Sequence, residues 1–279
     1  MTAPAERSGL EEAAYESRGF ETLEVRREDD LLWVALDNPE RANALSPRML
    51  DELTALYGRP LLAEGIRAVL LTGKGKHFSA GADLAHLRAL RDAGPEENRA
   101  DSRRLMALFE SVLRQEALTL ALVRGSCVAG GCGLATACDF VVAAEGARFL
   151  YSEVKIGFVA ALVATFLPLR LRGADVRELL LYPRFLSAAE AKAIGLANRV
   201  VPDGELESAG RELAVSVLAN GSSQSIAATK RLLLELPGRS LADALAHAAE
   251  VNAAARATDD CRRGIAHVLD HKAPPAWRE

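Results

Sequence analysis

The sequence lacks an excess of positive charge, a disulfide pattern and a long apolar run, and each absence argues against one class of protein. Its 279 residues carry a formal net charge of −4 at pH 7, which leaves room for a local basic patch but not for a global nucleic-acid-binding surface. The four cysteines form no CxxC pair, so buried free thiols in a reducing compartment are favoured over disulfides or a zinc site. No apolar stretch is long enough to span a bilayer.

Targeting and catalytic motifs are missing as well. Residues 1–20 lack the apolar segment of a secretory signal, so we expect a soluble cytoplasmic protein. No histidines lie at HxH or HExxH spacing, and we therefore expect no metal site. The absence of GxSxG disfavours a Ser–His–Asp hydrolase, and the absence of the P-loop and Rossmann glycine motifs disfavours a nucleotide site of either kind.

The distribution of apolar residues predicts an α/β protein. Apolar side chains make up 49% of the sequence, which is ample for a packed core. Short strand-like runs alternate with helical patterns as far as about residue 204, and beyond it the pattern is helical. We therefore divide the chain into a mobile N-terminal extension (residues 1–20), an α/β core (residues 21–204) and a C-terminal helical region (residues 205–279).

Four shorter segments carry predictions of their own. Residues 92–99 are charged and contain Gly-Pro, which predicts a loop. Residues 162–171 predict an apolar helix. Residues 187–194 begin with serine, carry glutamate three positions later and precede a glycine, which predicts a helix with a capping box and a glycine end. The proline-containing tail, residues 274–277, is predicted to be exposed.

Two stretches rich in glycine and alanine each follow a predicted strand and precede a predicted helix. We call residues 80–83 (AGAD) the first junction and residues 129–133 (AGGCG) the second junction. A helix start leaves backbone N–H groups without partners, and glycine lets a ligand approach them closely. One such stretch is weak evidence, because tight turns need glycine anyway. If the two junctions converge, they could form an oxyanion hole that polarises a carbonyl group.

One carboxylate, Glu153, follows the second junction among apolar and aromatic neighbours. Composition alone favours a surface or salt-bridged glutamate at such a position. If Glu153 is instead buried beside a substrate, its pKa rises and it can act as an acid or base near neutrality. Both interpretations stay open at this stage.

Four motifs in this order resemble one family. They read DNPERANALSPRML, HFSAGADL, VAGGCGLATACDFVVAAEGARFLYSEVKIGFV and FLSAAEAKAIGLANRVV. Together they are similar to the crotonase (enoyl-CoA hydratase/isomerase) superfamily over about residues 22–272, and most similar to its bacterial enoyl-CoA and methylglutaconyl-CoA hydratase-like members. The resemblance implies a spiral of ββα repeats and a C-terminal helical trimerisation region. It also implies a homotrimer or a dimer of trimers acting on an acyl-CoA thioester, with no separate cofactor because coenzyme A is part of the substrate.

The resemblance also implies roles for individual residues. The N–H groups of Ala82 and Gly130 would hold the thioester oxygen, and Glu153 would be the catalytic acid or base. The positions expected to bind the coenzyme A portion are, in order along the chain, Arg41, Ala42, Ala44, Ala80 and Lys272. Lys272 would act from a neighbouring subunit.

The chain departs from the two-glutamate hydratases at Gly133, where they carry the first glutamate. One catalytic carboxylate, at Glu153, therefore remains. Three hypotheses follow: a hydratase-like lyase that uses Glu153, a Δ3,Δ2-enoyl-CoA isomerase that needs only one base, and a non-catalytic scaffold that binds coenzyme A. A second carboxylate could still come from elsewhere, with Glu96 and Glu97 as candidates.

Overall fold

The computed structural model of the protein describes residues 19–278. The extension predicted for residues 1–20 thus lies outside the described residues, except for its last two. Within residues 19–278 the elements alternate between strand and helix up to residue 201 and are helical afterwards, which confirms the α/β prediction. The division of the chain near residue 205 into two regions stays a prediction.

Nine strands lie within the described residues. They are β1 (Leu23–Glu28), β2 (Leu31–Leu36), β3 (Ala68–Gly73), β4 (Leu118–Val123), β5 (Ser126–Val128), β6 (Phe140–Ala144), β7 (Arg148–Leu150), β8 (Leu186–Ser187) and β9 (Arg199–Val201). Six of them form one sheet in the order β1-β2-β3-β4-β6-β9, in which only the β1–β2 hairpin is antiparallel. The other three form a small sheet in the order β5-β7-β8.

Eleven α-helices connect and cover the sheets within residues 19–278. They are α1 (Pro47–Tyr57), α2 (Leu84–Leu90), α3 (Pro95–Arg114), α4 (Gly130–Ala137), α5 (Val163–Phe166), α6 (Gly173–Leu181), α7 (Ala188–Ile194), α8 (Leu206–Asn220), α9 (Ser223–Glu235), α10 (Leu241–Arg256) and α11 (Asp259–His271). None of these helices has the length and apolar character needed to cross a lipid bilayer.

The large sheet is buried on both faces. All six residues of β3 and of β4 are buried, as expected for parallel strands covered on both sides. Successive residues face opposite sides, so Leu71 joins the core cluster packed under α1, α3 and α4, while Leu70 joins the cluster covered by α8. The first junction comes after the end of β3 in this sheet, and the second junction directly follows β5 of the small sheet.

Local signals in the sequence determine both ends of α7. The Ser187 side chain accepts a hydrogen bond from the N–H of Glu190, and Glu190 bonds back to the N–H of Ser187. Gly195 ends α7 with a φ of +87°, a conformation that glycine adopts without strain. The capping box and the glycine end predicted for this helix are confirmed.

Three segment predictions hold only in part, each for a local physical reason. The predicted loop at residues 92–99 is already helical from Pro95, because proline suits a first helical position and Glu97 caps the N–H of Gly94. The predicted helix at residues 162–171 is only the short α5 followed by a 3-10 turn, Leu167–Leu169, that contains a proline. The tail is only partly exposed, since Pro275 is buried and Trp277 is half-buried.

The cysteines agree with the expectation of free thiols. Cys127, Cys132 and Cys138 are buried and Cys261 is half-buried, and all four are unpaired. The thiol of Cys132 donates to the carbonyl oxygen of Cys127 at 2.8 Å. These three buried cysteines therefore serve as small core residues.

A half-buried ion pair links the C-terminal helices to the sheet. The Nζ of Lys230, in α9, lies 2.6 Å from Oδ2 of Asp139 and 2.6 Å from the carbonyl oxygen of Ala117. The same carboxylate oxygen accepts hydrogen bonds from the N–H and hydroxyl of Thr119. The network joins α9 to the residues that precede β4 and β6.

Replacing Lys230 by methionine is expected to lower the free energy of unfolding by about 2 kcal/mol, because it leaves a half-buried carboxylate without its counter-charge and the carbonyl oxygen of Ala117 without its donor. Urea denaturation followed by circular dichroism would measure the change. Lys155→Met is the matched control, since Lys155 is exposed. An equal effect of the two substitutions would contradict a stabilising role for the pair.

Candidate active site

The structure brings the two junctions together. Ser79, directly before the first junction, forms a parallel bridge with Cys127, and the N–H of Val128 donates to the carbonyl oxygen of Ser79 at 2.9 Å. Gly81 lies against the second junction, where an added Cβ would be 2.8 Å from the carbonyl oxygen of Val128. Its φ of +85° also favours glycine. Only a residue without a side chain allows this close approach.

Two backbone amides at this meeting point are free to bind a ligand. Within residues 19–278 neither the N–H of Ala82 nor that of Gly130 donates a hydrogen bond. Gly130 is the first residue of α4, so its amide lies at the positive end of a helix dipole. Ala82 directly precedes Asp83, the N-cap of α2, and is exposed. Two such amides can stabilise negative charge on a bound oxygen atom.

The residue that orients the second amide has an uncommon backbone conformation. Ala129 has φ 47° and ψ −120°, which is rare for a residue with a Cβ. It is held there because its N–H donates to Leu150 at 2.7 Å and its carbonyl oxygen accepts from the N–H of Gly133 at 3.1 Å. Such strain persists where the surrounding structure imposes it, and it is concentrated at functional sites.

A buried polar network supports the first junction. The Asn43 amide donates to the carbonyl oxygens of Lys74 and His77, at 2.9 and 2.8 Å. Its backbone carbonyl accepts from the Ser79 hydroxyl at 2.8 Å, and that hydroxyl oxygen accepts from the N–H of Gly81 at 3.2 Å. Asn43 and Ser79 are fully buried. The sequence interpretation missed both residues, although an asparagine inside an alanine-rich turn is a signal for a left-handed position.

Four of the five residues predicted to bind coenzyme A lie along this network. The Arg41 guanidinium is 3.1 Å from the Asp83 carboxylate, and the N–H of Ala80 donates to the carbonyl oxygen of Ala42 at 2.8 Å. Ala44 is buried in the same loop.

Hydrogen bonds from the N–H of His86 and from Arg41 hold the pKa of Asp83 below its ordinary value. Arg41 stays largely exposed and can still meet an anionic ligand.

Lys272, the fifth, lies elsewhere. It caps the C-terminal end of α11 in a left-handed conformation, with φ 58°, and is exposed. Among the described residues no hydrogen bond or ion pair joins Lys272 to the loop around Arg41. A contribution of Lys272 to this site would have to come from another copy of the chain.

Glu153 is buried, so the surface interpretation of this residue is wrong. It begins the 3-10 turn Glu153–Ile156, directly after β7, and is 9% exposed. Its Oε2 atom has no hydrogen-bond partner among the described residues. Burial raises the pKa of Glu153, and the backbone N–H groups of Glu153 and Ser152 offset only part of this rise. A buried carboxylate with a free oxygen and a raised pKa is suited to proton transfer.

The space beside Gly133 is filled by apolar groups. A Cβ on Gly133 would lie 2.6 Å from Cζ of Phe109 and 2.9 Å from Cγ2 of Val163. No second carboxylate fits there without displacing the ring. Glu97 is used in capping Gly94, and Glu96 pairs with Arg99, so both alternatives are engaged locally at the exposed start of α3.

A cluster suited to metal binding is absent from the described part of the chain. In residues 19–278 no group of three or more histidine, cysteine, aspartate or glutamate side chains could hold a metal ion. The groups that the structure brings to the site are one carboxyl group and two backbone amides.

Comparison with known proteins identifies the family. The model of the family described as Enoyl-CoA hydratase/isomerase matches residues 26–279. A Thermus thermophilus protein that is named provisionally as an enoyl-CoA hydratase is 46% identical over 241 residues, covering 86% of this chain and 95% of that protein. The mitochondrial Delta(3,5)-Delta(2,4)-dienoyl-CoA isomerase of Dictyostelium discoideum is 28% identical over 251 residues, covering 86% of this chain and 85% of that protein.

Solved structures agree with these relatives. The crystal structure of an enoyl-CoA hydratase from Mycobacterium smegmatis matches with a TM-score of 0.84 and 29% identity, covering 92% of this chain and 98% of that chain. The likeness confirms the crotonase-type fold that the motifs predicted. The chain therefore belongs to the enoyl-CoA hydratase/isomerase family and is an enzyme of that family.

Proposed function

We propose that the protein is a hydratase-like lyase that adds water to the double bond of a 2-enoyl-CoA thioester. The observation that carries the proposal is the buried Glu153 carboxyl group, whose Oε2 has no partner among the described residues. The Thermus thermophilus relative that is named provisionally as a hydratase supports the same choice.

In this proposal the N–H groups of Ala82 and Gly130 bind the thioester oxygen. Arg41, Ala42, Ala44 and Ala80 contact the coenzyme A portion along the first junction, and Lys272 is contributed by a neighbouring subunit. The exposed guanidinium of Arg41 is suited to a phosphate group. Ala80 is exposed beside Ala82 and leaves room for a narrow chain.

A single carboxyl group is sufficient for hydration when it acts twice. Glu153 takes a proton from water as the water oxygen bonds to C3 of the enoyl group. The electron pair of the double bond moves to the thioester oxygen, where the two amides stabilise the enolate. The same Glu153 proton then passes to C2, so water is added and the carboxylate is regenerated.

The second candidate is a Δ3,Δ2-enoyl-CoA isomerase. Glu153 would remove a proton from C2 of a 3-enoyl-CoA, which forms a dienolate held by the same two amides, and would return the proton to C4. The apolar surroundings of Gly133 favour this alternative, because isomerisation needs no bound water. The retained buried carboxyl group argues against the non-catalytic scaffold.

A panel of three thioesters distinguishes these reactions. Purified protein is incubated with crotonyl-CoA, 3-methylglutaconyl-CoA and 3-hexenoyl-CoA, and products are identified by mass spectrometry. Lyase activity on the first two adds the mass of one water, whereas isomerisation of the third leaves the mass unchanged and produces the absorbance of a conjugated thioester. Turnover of 3-hexenoyl-CoA alone would overturn the proposed hydration and support the isomerase.

We also propose that the protein is a homotrimer or a dimer of trimers, assembled through residues 205–279. Large apolar side chains on α10 and α11 are exposed in the single chain, namely Leu241, Leu245, Ile265, Val268 and Leu269. Exposed apolar patches of this kind mark protein interfaces. Light scattering at two protein concentrations would measure the mass, and a monomer at both would contradict the assembly.

A further inference from the structure

A second apolar cavity lies behind the ring that faces Gly133. Its volume is about 380 Å³, and its apolar lining comes from α3, the start of α5 and the end of α9. The apolar side chains are Met106, Phe109, Leu113, Leu162, Phe166 and Leu234, and the polar ones are Glu110, Arg114 and Thr165. A cavity of this size and character suits a hydrocarbon chain.

Phe109 lies between this cavity and Gly133. It lines the cavity, and its Cζ occupies the space where a side chain at Gly133 would begin. Gly133 lies one helical turn after Gly130, and a Cβ in a helix leans towards the turn before it. The Phe109 ring therefore packs beside the first turn of α4, the turn that begins at Gly130.

The ring is held in place by its neighbours. It packs edge to face against Phe166, with centroids 5.5 Å apart and planes at 70°, a favourable geometry for two aromatic rings. Phe109 is 3% exposed. The position of the Phe109 ring is thus fixed by its packing, unlike that of a loosely packed surface side chain.

We propose that Phe109 limits the length of the acyl chain that this enzyme accepts, by closing the active site off from the second cavity. The inference rests on the proposed action on acyl-CoA thioesters and names their class as short-chain. An acyl group that ends before Phe109 fits as the site stands. A longer chain must displace the ring to reach the cavity.

The test compares chain-length preference in Phe109→Ala and in the unaltered protein. Calorimetry measures the binding of butyryl-CoA, hexanoyl-CoA and octanoyl-CoA, which are saturated and need no turnover. Each methylene group that the opened cavity buries strengthens binding about fourfold. We therefore expect the ratio of octanoyl-CoA to butyryl-CoA affinity to rise by at least about tenfold in Phe109→Ala.

Two further variants keep the test decisive. Leu234→Ala enlarges the same cavity from the α9 side without touching Gly133, so its ratio should stay within about twofold of the unaltered protein. Phe109→Leu keeps most of the packing if the alanine variant does not fold, and it should shift the ratio in the same direction by less. An unchanged ratio in folded Phe109 variants, or an equal shift in Leu234→Ala, overturns the inference.

The same experiment separates this inference from the proposed function. Turnover of enoyl-CoA substrates with an unchanged binding ratio overturns the role of Phe109 alone. A shifted ratio without turnover of any enoyl-CoA overturns the proposed reaction alone. The absence of binding by all acyl-CoA thioesters overturns both.

Discussion

Replacing Glu153 by glutamine is expected to lower kcat by about 10³-fold, because a positioned acid or base contributes about 10²- to 10⁴-fold and this chain has no second carboxyl group at the Gly133 position. Glutamine has nearly the same shape but cannot carry the proton. The KM for the thioester should change little, since the proposed binding groups are backbone amides and the loop around Arg41. Steady-state kinetics on the substrates of the panel would measure both constants.

Glu97→Gln is the matched control, because Glu97 is a carboxylate used only to cap α3 in the structure. It should leave kcat unchanged. A near-normal rate in Glu153→Gln would remove Glu153 from the mechanism.

The pH dependence has a definite sign. Burial raises the pKa of Glu153 in the folded protein above its unfolded value, so the folded state favours the protonated form. The stability contributed by this group is fully present below the unfolded pKa and is lost as pH rises through the folded pKa. Glu153→Gln should therefore unfold at a higher temperature than the unaltered protein at pH 7, and the difference should shrink as the pH is lowered. A lower unfolding temperature at pH 7 would contradict an unpaired buried carboxylate.

Introducing glutamate at Gly133 is expected to lower the free energy of unfolding by about 3 kcal/mol or more, because overpacking a core costs about 1–3 kcal/mol and an unpaired buried polar group adds to it. The clash is with the ring of Phe109 and with Val163, at 2.6 and 2.9 Å from the new Cβ. Denaturation in urea would measure the loss. The chain thus cannot regain the two-glutamate arrangement by this single substitution.

The double variant Gly133→Glu/Phe109→Ala tests the physical cause. Removal of the ring should relieve the clash, so the two changes together should destabilise the fold by less than the sum of their separate effects. Gly173→Glu is the control, because no atom lies within 4 Å of a Cβ at that helix start. If Gly133→Glu is as stable as this control, the ring does not exclude a side chain.

Much of the fold could be predicted from local patterns. The alternation of strands and helices and the cap of α7 depend on residues within a few positions of one another, and these predictions were confirmed. The start of α3 was misjudged because Gly-Pro was interpreted as a breaker, whereas Pro95 stands at a first helical position. The prediction for residues 162–171 held only in part, because the apolar pattern was given more weight than the proline at which the α-helix ends.

The candidate site was only partly predictable. The amides of Ala82 and Gly130 could be named from motifs, and the structure brings their junctions together. Asn43 and Ser79 were missed, because their importance comes from hydrogen bonds to residues distant in the chain. The second cavity could not be anticipated, since three separate helices line it.

The order of strands and helices, the cap of α7 and membership of the family follow from the sequence alone, because these depend on local patterns and on motifs that persist within a family. The burial of Glu153, whose Oε2 has no partner among the described residues, and the position of the Phe109 ring beside Gly133 follow only from the three-dimensional packing. Burial and close packing depend on which distant segments meet. The glycine at position 133 could be interpreted only once the structure showed that the Phe109 ring fills the space of its missing side chain.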